Sequence, residues 1–227
     1  MLLLRRIVHL AVLAVMLYTP VFKPLPFLKN GVVALVTAAS VALGGLAALA
    51  VSTSSSIPSS LPPSLLASAF VVFCHMYHRE ILMDIDDTEG DEAGQILTLP
   101  RLFGKPLALL LGGGLVAVGT AVSAWVVGVQ HGLRLSSLRL LQNGGVRGGA
   151  EKIAAALTGV VGGRMVGATA AWLAPVAVCA AGVSVCAYDW GVVWRRGFRH
   201  EDVSKGISWC LLAMIVMMLL MGTGSSA

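Results

Sequence analysis

Apolar residues form long uninterrupted runs along this chain, separated by short polar segments. A helix rises ~1.5 Å per residue, so about 20 apolar residues cross the hydrocarbon core of a bilayer. Only helices or closed barrels satisfy the backbone in lipid, so we expect an all-α polytopic transmembrane helix bundle. It has one partial span, Ile7–Leu17, and five full spans, at Asn30–Val51, Ser64–Leu82, Lys105–Gly128, Gly167–Trp190 and Gly206–Met221.

The composition agrees with a membrane location. The chain is 57% hydrophobic and only 12% charged, with a mean hydropathy of +0.86. The net charge is +5, and the basic residues are scattered among loops. This distribution favours lipid headgroups or a phosphorylated substrate as partners, and it argues against nucleic acid. We expect an integral, multi-pass protein, with a plastid or mitochondrial inner membrane among the expected locations.

The chain is interpreted as a single membrane domain, 1–227. One long segment, 129–166, is glycine-rich and basic. We expect this segment to be a surface insertion between two spans.

Seven of the eleven acidic residues lie between Glu80 and Glu92, directly after an apolar run. Carboxylates crowded at a membrane face repel one another unless a cation holds them. Glu80, Asp84, Asp87 and Asp91 follow helical spacing, so a helix would place all four on one face. The pattern therefore indicates a metal site at the membrane boundary.

Two other acidic motifs fit this segment poorly. Asp84-Ile-Asp-Asp-Thr88 matches the DxDxT motif of dehalogenase-like phosphatases. That chemistry needs a strand that ends in the motif inside an α/β domain, and the sequence pattern predicts no such sheet. An EF-hand starting at Asp84 would need Gly and Glu where Glu89 and Gln95 stand. Neither motif is therefore favoured.

Two further interpretations stay open. His75 and His78 lie beside Cys74, which is a possible zinc ligand set. The acidic segment could also be a solvated loop without a ligand, although its regular spacing argues against this.

Asp87-Thr-Glu-Gly-Asp91, followed by Thr98-Leu-Pro100, resembles the second aspartate motif (DxxxD) of the UbiA-type intramembrane prenyltransferases. The segment from Tyr18 through Lys23 to Asn30 resembles the Tyr…Lys segment between the fourth and fifth helices of that family. The resemblance covers roughly residues 10–128, and the last two spans fit by position.

The resemblance implies Mg²⁺-dependent transfer of a polyprenyl group from a prenyl diphosphate to a hydrophobic acceptor, either a quinone precursor or a lipid-like alcohol. Mg²⁺ prefers carboxylate, water and phosphate oxygens. The implied ligands are Asp87 and Asp91, with Asp84 as a third candidate. The implied catalytic residues are Lys23 and Arg79, which would bind the diphosphate, and Tyr18, which would position the reacting end.

The first aspartate motif of the family, NDxxDxxxD, has no match here, because neither Asn30 nor Asn143, the two asparagines of the chain, begins such a pattern. We therefore expect a fragment-like chain that begins inside the fourth of the family's nine helices and is weakly active or inactive alone. A second chain that supplies the first motif is an expected partner. The alternative function is a non-catalytic membrane subunit or a degenerate homologue with a scaffold role.

Overall fold

The computed structural model describes residues 2–22, 25–53, 62–143 and 176–223, and those residues contain helices and no strand. The expected all-α class is therefore confirmed. In chain order the helices are α1 (Leu2–Leu17), α2 (Pro26–Thr53), α3 (Pro63–Asp86), α4 (Thr88–Ala93), α5 (Leu99–Phe103), α6 (Lys105–Asn143), α7 (Val176–Trp194) and α8 (His200–Thr223).

Four segments are long and apolar enough to cross a membrane. Their most apolar stretches are only 22–39% buried, so most of their surface is left for lipid. The partial span corresponds to the shorter apolar stretch Val8–Leu17 of α1. The four segments are Pro26–Leu49, Lys105–Val126, Val176–Trp194 and His200–Leu219.

The expected span Ser64–Leu82 does not belong to this set, so the described residues give four full spans where we expected five. This stretch is part of α3, which packs against α2, α6 and α8. His75, His78 and Arg79 lower its apolar character, and the two histidines are buried inside the protein. α3 is therefore the central helix of the bundle and faces protein on several sides.

In a membrane the hydrophobic effect does not drive helices together, so close packing depends on small residues at the contacts between helices. A Cβ atom at Gly182 of α7 would lie 2.8 Å from Thr120 Cβ of α6. A Cβ atom at Gly119 of α6 would lie 2.8 Å from Cys74 Cβ of α3. These two glycines let α6 approach both of its neighbours.

α6 is longer than the expected span. It has 39 residues, so its axis is ~58 Å long at ~1.5 Å per residue. Its membrane-spanning stretch ends at Val126, and the helix continues to Asn143. Residues 129–143 of the expected insertion are therefore helical, while residues 144–166 lie outside the described residues, as do residues 167–175 of the expected fourth span.

Candidate functional site

The carboxylate of Asp84 joins the end of α3 to the first turn of α2. Lys29 Nζ lies 2.6 Å from Asp84 Oδ1, and Asn30 Nδ2 donates a hydrogen bond of 2.9 Å to Asp84 Oδ2. Asp84 is 3% exposed and Asn30 is fully buried. A buried carboxylate is tolerated when its oxygens are paired, and both oxygens of Asp84 have a partner here.

Asp87 and Asp91 lie one helical turn apart where α3 ends and α4 begins. The Asp87 N–H donates to the Met83 carbonyl and the Asp91 N–H donates to the Asp87 carbonyl, each at 2.9 Å. The four-residue helical spacing therefore continues across the break at Asp87, where φ is −86° and ψ is 10°. The two carboxylates consequently project from the same side of the chain.

These two carboxylates differ in their surroundings. Asp87 is exposed, whereas Asp91 is partly buried. The Oδ2 atom of Asp91 is buried and makes no well-aligned hydrogen bond among the described residues, although the Thr98 hydroxyl lies near enough to lower the pKa of this carboxyl. Buried polar atoms are normally paired, so such a carboxylate oxygen beside a second carboxylate is an incomplete site that a cation would complete.

A tight turn after α4 fixes the position of Asp91. The Ile96 N–H donates to the Asp91 carbonyl at 2.8 Å, and the Gln95 N–H donates to the Glu92 carbonyl at 3.2 Å. With Gln95 at φ 54°, this is a Schellman motif, although Gln stands where Gly is usual. Arg101 then donates from Nη1 to the carbonyl oxygens of Asp91 and Ile96, so the loop is closed by protein contacts.

The Thr98-Leu-Pro100 segment holds the far end of this loop against α3. All three residues are buried. Thr98 is the extended residue before α5, and Pro100 lies in the first turn, where its missing N–H does no harm. Leu99 packs with Ile81 and Ile85 of α3. The motif therefore has a structural role, because it ties the acidic loop to the central helix.

Electrostatic coupling places Lys29 among the site carboxylates. Burial raises the pKa of the Asp91 carboxyl; the Lys29 ammonium opposes this, and the charges of Asp84 and Asp87 add to it. Burial also raises the pKa of the Tyr18 phenol, again with Lys29 opposing and nearby carboxylates adding. Lys29 is thus the cation that acts on both Tyr18 and Asp91.

The expected catalytic residues are only partly assembled. Lys23 lies outside the described residues. Tyr18 lies in the π-helical turn Tyr18–Phe22 after α1, within electrostatic reach of Lys29. The Arg79 guanidinium forms an ion pair of 2.5 Å with Glu80, its neighbour in the chain.

Lys29 and Asn30 are the site residues that the sequence argument did not single out. Both belong to the segment that resembles the Tyr…Lys segment of the family, but nothing in their spacing shows that they contact Asp84, 54 or 55 residues later. The available signal was a polar Lys-Asn pair at the start of an apolar helix, followed by a stretch with no Lys, Arg, Asp or Glu before Arg79.

The zinc interpretation has no support in the structure. His75 Nδ1 lies 3.0 Å from the Val71 carbonyl oxygen, and His78 Nε2 lies 2.8 Å from Asp189 Oδ2. Within the described ranges, no group of three or more His, Cys, Asp or Glu residues is arranged to hold a metal ion. A metal at Asp87 and Asp91 would therefore take its remaining ligands from water or substrate, which is the usual habit of Mg²⁺.

The UbiA prenyltransferase family model matches residues 3–142, which is more than half of the chain. The chain therefore belongs to the UbiA prenyltransferase family. No solved structure matches the fold.

The curated relatives that the chain resembles are archaeal. A digeranylgeranylglyceryl phosphate synthase of Thermococcus kodakarensis is 33% identical over 135 residues, 57% of this chain and 44% of the relative. Proteins of the same name from Natronomonas pharaonis and Pyrococcus abyssi are 32% and 36% identical, over 48% and 51% of this chain and 36% and 39% of the relatives. The chain thus spans less than half the length of these relatives.

The family and the four apolar helices indicate an integral membrane protein. The archaeal relatives give no support to the expected plastid or mitochondrial membrane.

Proposed function

We propose that this protein binds a prenyl diphosphate through Mg²⁺ and takes part in transfer of the prenyl group to a lipid-like acceptor. The observation that carries the proposal is the Asp87–Asp91 pair, one helical turn apart, with the Asp91 Oδ2 atom buried and without a well-aligned hydrogen bond among the described residues. The family membership supplies the reaction class.

Asp87 and Asp91 are the proposed magnesium ligands. Mg²⁺ usually keeps several waters and takes one or two carboxylates together with substrate phosphates, so a two-carboxylate site fits it. When bound, the metal would neutralise the charge that develops on the departing diphosphate. Asp84, the third candidate ligand, accepts one hydrogen bond on each oxygen, from Lys29 and from Asn30, so it is the least available of the three carboxylates.

The protein's own groups would orient the donor. Tyr18 and Lys23 belong to the segment before α2, and we propose that they contact the reacting end and the diphosphate respectively. Arg79 remains a candidate diphosphate partner, because its recorded contact with Glu80 involves one nitrogen of the guanidinium group. The apolar surfaces of the helices would hold the prenyl chain away from water, which strengthens the electrostatic contacts at the diphosphate.

The acceptor we favour is a phosphorylated glycerol lipid. The relatives are named for a product that carries two geranylgeranyl groups on glyceryl phosphate. A quinone precursor, the other acceptor considered from the sequence, has no named relative in its favour.

A non-catalytic membrane subunit or scaffold is the second candidate function. It is the alternative that the sequence analysis left open, and the first aspartate motif, NDxxDxxxD, is not found in this sequence. The expected second chain that would supply this motif gains no support from the comparisons.

The test is prenyl transfer by the purified protein in liposomes. Labelled geranylgeranyl diphosphate would be offered with a glycerol-phosphate lipid or with an aromatic quinone precursor, with Mg²⁺ or with excess chelator, and products would be identified by mass spectrometry. We expect Mg²⁺-dependent donor binding, and transfer to the glycerol lipid if the chain is catalytic. Binding without transfer would favour the subunit, and no Mg²⁺-dependent binding would refute both the metal site and the reaction class.

A further inference from the structure

Lys29 occupies a position that the family resemblance does not explain. It lies in the first turn of α2, where the helix dipole disfavours a cation, and its side chain is 17% exposed. A lysine held in that place needs a nearby anion, and Asp84 provides it at 2.6 Å.

An ammonium group has three N–H donors, and Asp84 uses one of them in the described contacts. The charge of Lys29 also acts on Asp91, one of the two proposed metal ligands. Arg79, the sequence-based candidate, is instead paired with Glu80. Lys29 is therefore held against Asp84, which lies three residues before Asp87, and its ammonium group has N–H donors beyond the one that Asp84 accepts.

Asp84 is fixed from both sides. Its Oδ1 atom contacts Lys29 and its Oδ2 atom accepts from Asn30, and Asn30 is fully buried. Lysine side chains are flexible, so a carboxylate that is itself held by a buried amide restricts where the ammonium group can lie. This arrangement suits a positioning residue, because each oxygen of Asp84 already accepts a hydrogen bond from a side chain of α2.

We propose that Lys29 binds the diphosphate of the prenyl donor, and that Asp84, held by Asn30, is a positioning residue for Lys29. This inference rests on the proposed function, because it assumes that a diphosphate sits at Asp87 and Asp91.

The experiment measures binding of geranylgeranyl thiolodiphosphate, a non-hydrolysable donor analogue, to the detergent-solubilised protein as Mg²⁺ is titrated. Lys29→Met keeps the length of the side chain and removes its charge, and Lys29→Arg restores the charge. Asp84→Asn removes the carboxylate charge, Asp87→Asn removes a proposed ligand, and Lys205→Met is the matched control for loss of a lysine outside the site. Circular dichroism and thermal unfolding establish that each variant is folded.

At saturating Mg²⁺, Lys29→Met should weaken analogue binding roughly tenfold to a hundredfold, the usual effect of losing a hydrogen bond to a charged group. Lys29→Arg should recover most of that loss, and Lys205→Met should bind like the wild type. Asp84→Asn should weaken binding as Lys29→Met does, without raising the Mg²⁺ concentration needed for half-maximal binding. Asp87→Asn should raise that concentration. Combining Asp84→Asn with Lys29→Met should add little further loss.

Wild-type affinity in Lys29→Met would overturn the role of Lys29. A higher Mg²⁺ requirement in Asp84→Asn, matching Asp87→Asn, would show that Asp84 is a metal ligand and overturn its positioning role. Failure of the wild type to bind the analogue with Mg²⁺ would instead refute the proposed function, and this inference with it.

Discussion

Removing His78 is expected to destabilise the protein more than removing its partner, Asp189. His78 Nε2 of α3 lies 2.8 Å from Asp189 Oδ2, and their side chains are 0% and 2% exposed. Asp189 begins the π-helical turn Asp189–Trp194 that ends α7. Neither Asp189 oxygen makes a well-aligned hydrogen bond among the described residues, and His78 Nε2 is the polar atom that contacts this carboxylate.

The two single variants leave different groups behind. His78→Ala leaves the carboxylate of Asp189 buried without a partner, which typically costs about 3–5 kcal/mol. Asp189→Ala leaves the buried imidazole of His78 without its partner, which costs about 1–3 kcal/mol. The difference of about 2 kcal/mol is a factor of about 30 in the ratio of folded to unfolded protein.

The assay is equilibrium unfolding in mixed micelles with a rising fraction of SDS, followed by circular dichroism, for wild type, both single variants and the double variant. The double variant should be less destabilised than the sum of the single variants, because the two residues interact directly. Strictly additive losses, or a larger loss in Asp189→Ala than in His78→Ala, would refute the reasoning.

Three further predictions concern backbone, packing and charge. Gly104→Ala should destabilise the protein by about 1–3 kcal/mol in the same SDS assay. Gly104 has φ 84° and ψ 150°, backbone angles that are almost restricted to glycine. Unchanged stability would contradict that backbone geometry. Gly182→Ala should lower the midpoint of thermal unfolding, because the Cβ atom of the new alanine would overlap the Thr120 side chain. An unchanged midpoint would contradict the close approach of α6 and α7. Asp91→Asn should slightly raise the thermal midpoint of metal-free protein at neutral pH. Burial, with the charges of Asp84 and Asp87, raises the pKa of the Asp91 carboxyl against the opposing effect of Lys29, so the charged form is disfavoured in the folded protein. Added Mg²⁺ should stabilise only the wild type; equal stabilisation of both would contradict the metal site.

The local part of the site was predictable from the sequence. The DxxxD spacing predicts that Asp87 and Asp91 share one face, and the Asp91 N–H to Asp87 carbonyl hydrogen bond supports this. The four acidic positions do not share one environment, because α3 ends at Asp86. Asp84 is consequently buried against α2, while Asp87 is exposed. Sequence spacing predicts which residues share one face of a helix, but it does not predict which of them a neighbouring helix will bury.

The contacts between distant segments were not predictable in this way. The contacts of Lys29 and Asn30 with Asp84 depend on how α2 packs on α3, and the contact of His78 with Asp189 depends on α7. The status of α3 has a different origin. His75, His78 and Arg79 make it less apolar than the four candidate spans, which is a property of the sequence, and the packing adds that α3 lies against α2, α6 and α8.

The most direct test of the central claim is to observe the metal on the two carboxylates. Mn²⁺ would replace Mg²⁺, and pulsed electron paramagnetic resonance would be recorded with geranylgeranyl thiolodiphosphate bound to the detergent-solubilised protein. We predict ³¹P coupling to protein-bound Mn²⁺ in the wild type and in Glu89→Gln, a matched control because Glu89 is exposed, and loss of the bound signal in Asp87→Asn and Asp91→Asn. Retention of the same ³¹P-coupled signal in both aspartate variants would contradict the assignment of the site.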